Sequence, residues 1–117
     1  MAIEKKEFEV AEEEAKNAES NLIITLKKPV TYNGKTYSTL EFDFENLTGE
    51  DALNIEDELA SIGKITVAPV FSGEYLIRMA AKACSEPVGS DLFRIIPIGD
   101  YNRIRSAARS FLLKSEA

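Results

Sequence analysis

The chain has 117 residues, a net charge of −6 and 44% hydrophobic residues, which together predict one globular domain with a modest core. No apolar run approaches the roughly 20 residues that a membrane span needs, and the first residues hold no apolar signal region, so we expect a cytoplasmic protein. The excess of acids argues against nucleic acid as a partner. Cys84 is the only cysteine, which rules out an internal disulfide.

Residues 1–20 are predicted to form a flexible acidic lead to a single domain at 21–117. They hold seven acids against three lysines, and only Phe8 and Val10 are large apolar groups between residues 4 and 20. Such a segment buries too little apolar surface to offset the entropy of ordering it. Docking of this lead on a partner stays open as an alternative.

A β-hairpin is predicted next, with strands at about 21–31 and 35–45. Apolar residues alternate with polar ones along both segments, so one face of the hairpin should cover a core. Asn33-Gly34 between them can take the positive φ angles of a tight type I′ turn. Pro29 cannot donate to a strand ladder, so the first strand should fray or bulge there.

Three or four helices are predicted after the hairpin, at about 49–62, 73–84, 90–96 and 100–114. Thr48 can cap the first, whose buried stripe is expected to be Ala52, Ile55, Leu59 and Ile62. Gly63 is a natural C-terminal stop, and the following segment, cut by Pro69, should be a short extended link. A hairpin followed by helices predicts an α+β domain with the helices packed on one face of a small antiparallel sheet.

Catalytic and cofactor chemistry has little support in the sequence. The chain has no histidine, which excludes a histidine general base, a histidine-activated nucleophile and the commonest zinc ligand. No phosphate-binding glycine motif occurs, and we expect no cofactor, no metal and no enzymatic activity. The carboxylates of Glu50, Asp51, Asp57 and Glu58 lack the spacing of a calcium loop, so a solvated acidic face is favoured over a cation site. Cys84 is expected to be a small core residue.

The C-terminal part holds the chain's basic concentration, with Arg94 followed by Arg103, Arg105 and Arg109 on the last helix. A solvated helix face is the first interpretation of these arginines. A docking surface for an acidic partner or for a second copy of the chain is the second. Contact with nucleic acid is the third and the least favoured, because no aromatic platform accompanies the arginines.

The order of these motifs resembles the tail assembly chaperone family of contractile-tailed, Mu-like and related bacteriophages and prophages. The matching motifs run over residues 21–114: Leu26 to Lys35, Leu40 to Phe44, Leu47 to Asp51, Tyr75 to Ala83, Leu92 to Tyr101, and Phe111 with Leu112. The resemblance lies in the order of weak motifs, and it carries no catalytic residues.

The resemblance implies a role in tail assembly. Members of this family bind the long, helical, aggregation-prone tape measure protein, help to recruit tail tube subunits, and leave before the virion matures. A ribosomal frameshift often adds a longer second product. The alternatives are a structural virion component, such as a tube, neck or baseplate subunit, and a small DNA-binding regulator. Assembly of the chain into a homo-oligomer is left open.

We expect the client to lie in a groove formed by the last two helices, as in helix-in-groove recognition. The alternative is that the apolar residues expected to line this groove simply belong to the core. The expected partner-binding residues are Leu92, Phe93, Ile96, Tyr101, Arg103, Arg105, Arg109 and Phe111.

Overall fold

The computed structural model describes residues 22–115, so the predicted acidic lead lies outside the described residues. The predicted α+β architecture is confirmed: an antiparallel two-stranded hairpin is followed by three α-helices. The elements are β1 (Leu22–Tyr32), β2 (Lys35–Phe42), α1 (Gly49–Ser61), α2 (Gly73–Ala83) and α3 (Ile98–Ser115). Short 3-10 helices occupy Phe44–Asn46, Pro69–Phe71 and Ser90–Arg94.

The hairpin turns at Asn33 and Gly34, whose φ angles of 50° and 81° confirm the predicted positive-φ turn. The pairing of β1 with β2 shifts register between Thr25 and Val30, so β1 bulges around Pro29 as the sequence predicts. The bulge directs the backbone of Lys27 toward the start of α3.

Asp100, in the first turn of α3, joins the helix to this bulge. Its side chain is 0% exposed, and its Oδ2 accepts a hydrogen bond from the backbone N–H of Lys27 at 2.9 Å. Arg103 donates to Asp100 Oδ1 at 3.5 Å and to the carbonyl oxygen of Thr25 at 3.3 Å. A carboxylate in the first helical turn is also favoured by the helix dipole. These contacts fix the position of α3 against β1.

Two predicted element boundaries are corrected. The second strand ends at Phe42 rather than near residue 45, because Asp43 caps the 3-10 helix that follows by accepting from the backbone N–H of Glu45. Phe44 nevertheless stays fully buried. The segment predicted as a helix at 90–96 is a 3-10 helix at Ser90–Arg94 rather than an α-helix.

Helix α1 begins as predicted, but its buried stripe ends one turn sooner. The side chains of Thr48 and Asp51 cap the first turn reciprocally as a capping box, each accepting a hydrogen bond from the other residue's backbone N–H. Gly63 ends the helix with a φ of 78°. Ile55 and Leu59 are 1% exposed, but Ile62 is 54% exposed, so its predicted burial is wrong. Ile62 follows the last helical residue, and the turn at Gly63 carries the chain away from the core.

Helices α2 and α3 supply much of the remaining core. Ser72 caps α2, which buries six of its residues, and α3 buries three. Helix α3 begins at Ile98, two residues before the predicted start. No helix among residues 22–115 is both long and apolar enough to cross a membrane. The buried residues of the two helices are Tyr75, Leu76, Ile77, Met79, Ala80 and Ala83 on α2, and Ile104 and Ala108 with Asp100 on α3.

Aromatic rings link the hairpin to the helices. The ring of Phe42 lies 6.1 Å from that of Phe44 and 6.0 Å from that of Phe93, and Phe44 stacks on Phe111 at 5.6 Å. Such ring pairs stabilise the fold by more than the burial of their own surface alone. The core therefore lies between one face of the hairpin and the three helices.

Candidate protein-binding surface

The loop between α1 and α2 exposes several large apolar side chains to solvent. This loop covers residues 62–72. Ile65 is 90% exposed, Val67 is 93% exposed and Phe71 is 69% exposed. Gly63 turns the chain outward, and Ile65 and Val67 lie beyond it in a stretch that is neither helix nor strand. Exposed apolar side chains that lie so close together in the chain are candidates for binding another protein.

Phe71 brings this loop against the basic side of α3. The guanidinium carbon of Arg109 lies 5.3 Å from the centre of the Phe71 ring, which is a cation–π distance. Arg105 donates a hydrogen bond to the carbonyl oxygen of Phe71 at 3.5 Å. We name the set of Ile65, Val67, Phe71, Arg105 and Arg109 the loop–arginine surface.

The structure separates the four arginines that the sequence grouped together. Arg94 forms an ion pair with Glu74, and Arg103 pairs with Asp100 and bonds the β1 backbone. Arg105 and Arg109 pair with no carboxylate among residues 22–115. Two of the arginines therefore form ion pairs within the domain, and the other two contact Phe71 instead.

Glu74 is the centre of the ion-pair network that holds Arg94. It also meets Arg78 at 3.4 Å and Lys64 at 3.5 Å. Burial raises the pKa of the Glu74 carboxyl, but the hydrogen bond from Arg94 and the charges of Arg94, Lys64 and Arg78 outweigh it and leave the pKa below its ordinary value. The network fastens the apolar loop, through Lys64, to α2 and to the 3-10 helix at Ser90–Arg94.

The apolar residues of the groove expected from the sequence differ in burial. Leu92 and Phe93 are 0% and 1% exposed, and Ile96 is buried as well. Tyr101 and Phe111 are half-buried and pack against the core. These residues match the core interpretation that the sequence left open, and a client could reach Leu92 or Phe93 only by opening the domain.

A concave feature lies at the β1 bulge. A cleft of about 470 Å³ is lined by Lys27, Lys28, Pro29, Val30, Ile95, Ile96 and Pro97. Ile95 is 58% exposed at its mouth. The lining combines apolar side chains with two lysines that form no ion pair among the described residues. Like the loop–arginine surface, this cleft therefore places basic groups beside apolar ones. The two sites share no residue.

Two of the acidic residues of α1 form contacts within the domain. Asp51 belongs to the capping box, and Glu58 pairs with Arg78 at 3.5 Å and with Lys82 at 3.1 Å. Within residues 22–115, no three side chains of metal-ligand type lie close enough together to hold a metal ion. Burial raises the pKa of the Cys84 thiol, which disfavours the reactive thiolate.

The sequence predicted part of this surface. It singled out Arg105 and Arg109 as partner-binding candidates, but it treated residues 64–70 as a plain link. The signal that could have found the loop is the alternation of Ile65 and Val67 in a segment too short for a predicted element, ending at Phe71. Apolar residues outside any predicted helix or strand are candidates for exposure.

Comparison with known proteins yields no match to a protein-family model, a curated protein or a solved structure.

Proposed function

We propose that this chain is a phage tail assembly chaperone that binds the tape measure protein through the loop–arginine surface. The observation that carries the proposal is the exposure of Ile65, Val67 and Phe71 on a loop that is fastened to a folded domain. The order of motifs that resembles the tail assembly chaperone family supplies the identity of the client. Recruitment of tail tube subunits and departure before virion maturation belong to the same proposal.

The physical properties of the surface suit such a client. A long helical protein with exposed apolar residues is kept in solution by a partner that covers those residues with apolar surface of its own. The partner must not precipitate while it waits, and a net charge of −6 favours its solubility. Because the apolar side chains stand on a loop, they can adapt to a client without disturbing the core.

The proposal is tested by co-expression of the full chain with the tape measure protein, with the amount of soluble, co-purifying client as the readout. We expect the unchanged chain to keep the client soluble, and the double variant Ile65→Ser, Val67→Ser to lose most of that effect. Ile23→Ser is the matched control, because Ile23 is 65% exposed on β1 and outside the surface. Precipitation of the client with the unchanged chain contradicts the chaperone role. Equal rescue by all variants contradicts the assigned surface.

Mass spectrometry of purified virions separates this role from that of a virion component. A chaperone that leaves before maturation is missing from the particle, whereas a tube, neck or baseplate subunit is present in many copies. The DNA-binding alternative draws less support from the arginines, since Arg94 and Arg103 form ion pairs with Glu74 and Asp100 of the same domain.

A further inference from the structure

Arg105 and Arg109 differ from the other arginines that the structure describes. Arg78, Arg94 and Arg103 each pair with at least one carboxylate, whereas Arg105 and Arg109 pair with none among residues 22–115. The chain holds 20 acidic and 14 basic residues, so carboxylates are in excess. Two arginines left without an acid in such a chain form a local positive surface that the described carboxylates do not neutralise.

The two guanidinium groups also have contacts within the domain before any partner arrives. Arg109 rests on the Phe71 ring, and Arg105 is tied to the carbonyl oxygen of Phe71. Arg105 also lies beside Gly73, where a Cβ atom added to the glycine would stand 3.9 Å from the guanidinium carbon. Side chains that are already ordered lose less entropy on binding, and an arginine fork binds a carboxylate through two parallel hydrogen bonds.

The spacing of the two arginines adds a geometric condition. Residues four apart on a helix lie on one face and about 6 Å apart along its axis. Acidic residues at the same spacing on a helix that lies alongside α3 would face both guanidinium groups. Apolar residues beside those acids would meet Phe71, which contacts both arginines.

We infer that the segment recognised at the loop–arginine surface is an acidic amphipathic helix, with carboxylates one turn apart next to its apolar stripe. This inference rests on the proposed function and names the part of the client that is bound. The apolar loop supplies affinity, and Arg105 with Arg109 select for acidic segments over neutral or basic ones of equal hydrophobicity. A protein segment is favoured over nucleic acid because the chain as a whole is acidic.

The test uses an array of overlapping peptides that cover the tape measure protein, probed with the labelled full chain. We expect the retained peptides to be net negative and to carry apolar residues at helical spacing. The double variant Arg105→Gln, Arg109→Gln should bind them about tenfold more weakly. The control Lys27→Gln, Lys28→Gln removes the same charge at the cleft beside the β1 bulge and should change binding less than about twofold. Arg105→Lys, Arg109→Lys keeps the charge and should retain intermediate binding.

Salt provides a second readout that a merely structural role would not move. Raising the salt concentration should weaken binding by the unchanged chain more than binding by the glutamine double variant. Two outcomes overturn the inference while the proposed function stands. One is that the retained peptides are neutral or basic. The other is that the arginine-to-glutamine and the lysine-to-glutamine double variants bind them equally. Failure to retain any peptide together with failure to bind the intact tape measure protein overturns the proposed function itself.

Two further outcomes identify a different occupant and overturn the inference. If sedimentation shows that the unchanged chain self-associates and the glutamine double variant does not, the arginines bind a second copy of the chain. If a short DNA duplex displaces the retained peptides at physiological salt, the surface binds nucleic acid.

Discussion

Substitution of Asp100 should be among the most destabilising single polar changes in the described domain. Asp100→Ala removes the acceptor of the Lys27 N–H and leaves Arg103 with its bond to the Thr25 carbonyl alone. Leaving the part-buried Lys27 N–H without its acceptor costs up to about 1–3 kcal/mol, and losing a carboxylate from the first helical turn costs about 0.3–1 kcal/mol more. We therefore expect a loss of about 2–3 kcal/mol, which corresponds to a fall in Tm of roughly 10–20 °C for a domain of this size.

Urea unfolding of the purified chain, followed by far-ultraviolet circular dichroism, measures this loss. Asp100→Asn separates its two causes, since an amide oxygen can still accept from Lys27 but carries no charge; it should lose less than the alanine variant. Asp57→Ala is the matched control, because Asp57 is exposed on α1 and should change stability by less than about 0.5 kcal/mol. A free energy of unfolding for Asp100→Ala within about 0.5 kcal/mol of the unchanged chain would refute the role assigned to this carboxylate.

Three other expectations follow from the described contacts. Phe44→Ala should lose about 3–5 kcal/mol of unfolding free energy, because Phe44 is fully buried between two rings. Phe71→Ala should lose less than about 1 kcal/mol, because Phe71 is mostly exposed. Equal losses in urea titrations would contradict the assigned core. Gly34→Ala should lose about 1–2 kcal/mol because its φ is 81°, while Gly49→Ala, with open space at its Cβ, should be neutral or stabilising in the same titrations. Ion pairs depress the folded-state pKa of Glu74, so its contribution is complete above the unfolded pKa of about 4.3 and is lost as pH falls through the folded pKa. Chemical denaturation of Glu74→Gln from pH 7 to pH 3 should therefore show a smaller loss on acidification than the unchanged chain shows, and parallel curves would contradict this.

Local patterns predicted the hairpin and the helix starts because the signals lie within a few residues of the feature. Asn33-Gly34 determines the turn, and Thr48 provides the cap of α1. The end of β2 was missed for a physical reason. Leu40, Phe42 and Phe44 are all buried, so their alternation continues across the point where the chain leaves the strand. Periodicity alone does not separate a strand from a 3-10 turn that keeps the same side chain inside.

The candidate site could be predicted only in part, because pairing of charges is a long-range property. Arg94 meets Glu74, 20 residues earlier in the chain, and Arg103 reaches the backbone of Thr25, 78 residues away. Local spacing does not show which arginines such contacts use, so all four remained candidates. Similarly, the burial of Phe93 depends on Phe42 of the hairpin, which the helix-groove expectation did not consider.

The bulge in β1 also bears on whether strands of two copies of this domain can pair edge to edge. A two-stranded sheet has open edges, and an exposed edge can take up a strand from a neighbouring copy. In β1 the Lys27 N–H and the Thr25 carbonyl are already bonded by Asp100 and Arg103, and Pro29 has no N–H to offer. A flat, continuous ladder cannot form along this stretch. The chain can thus present apolar side chains on its loop while the backbone of this stretch does not template fibre growth.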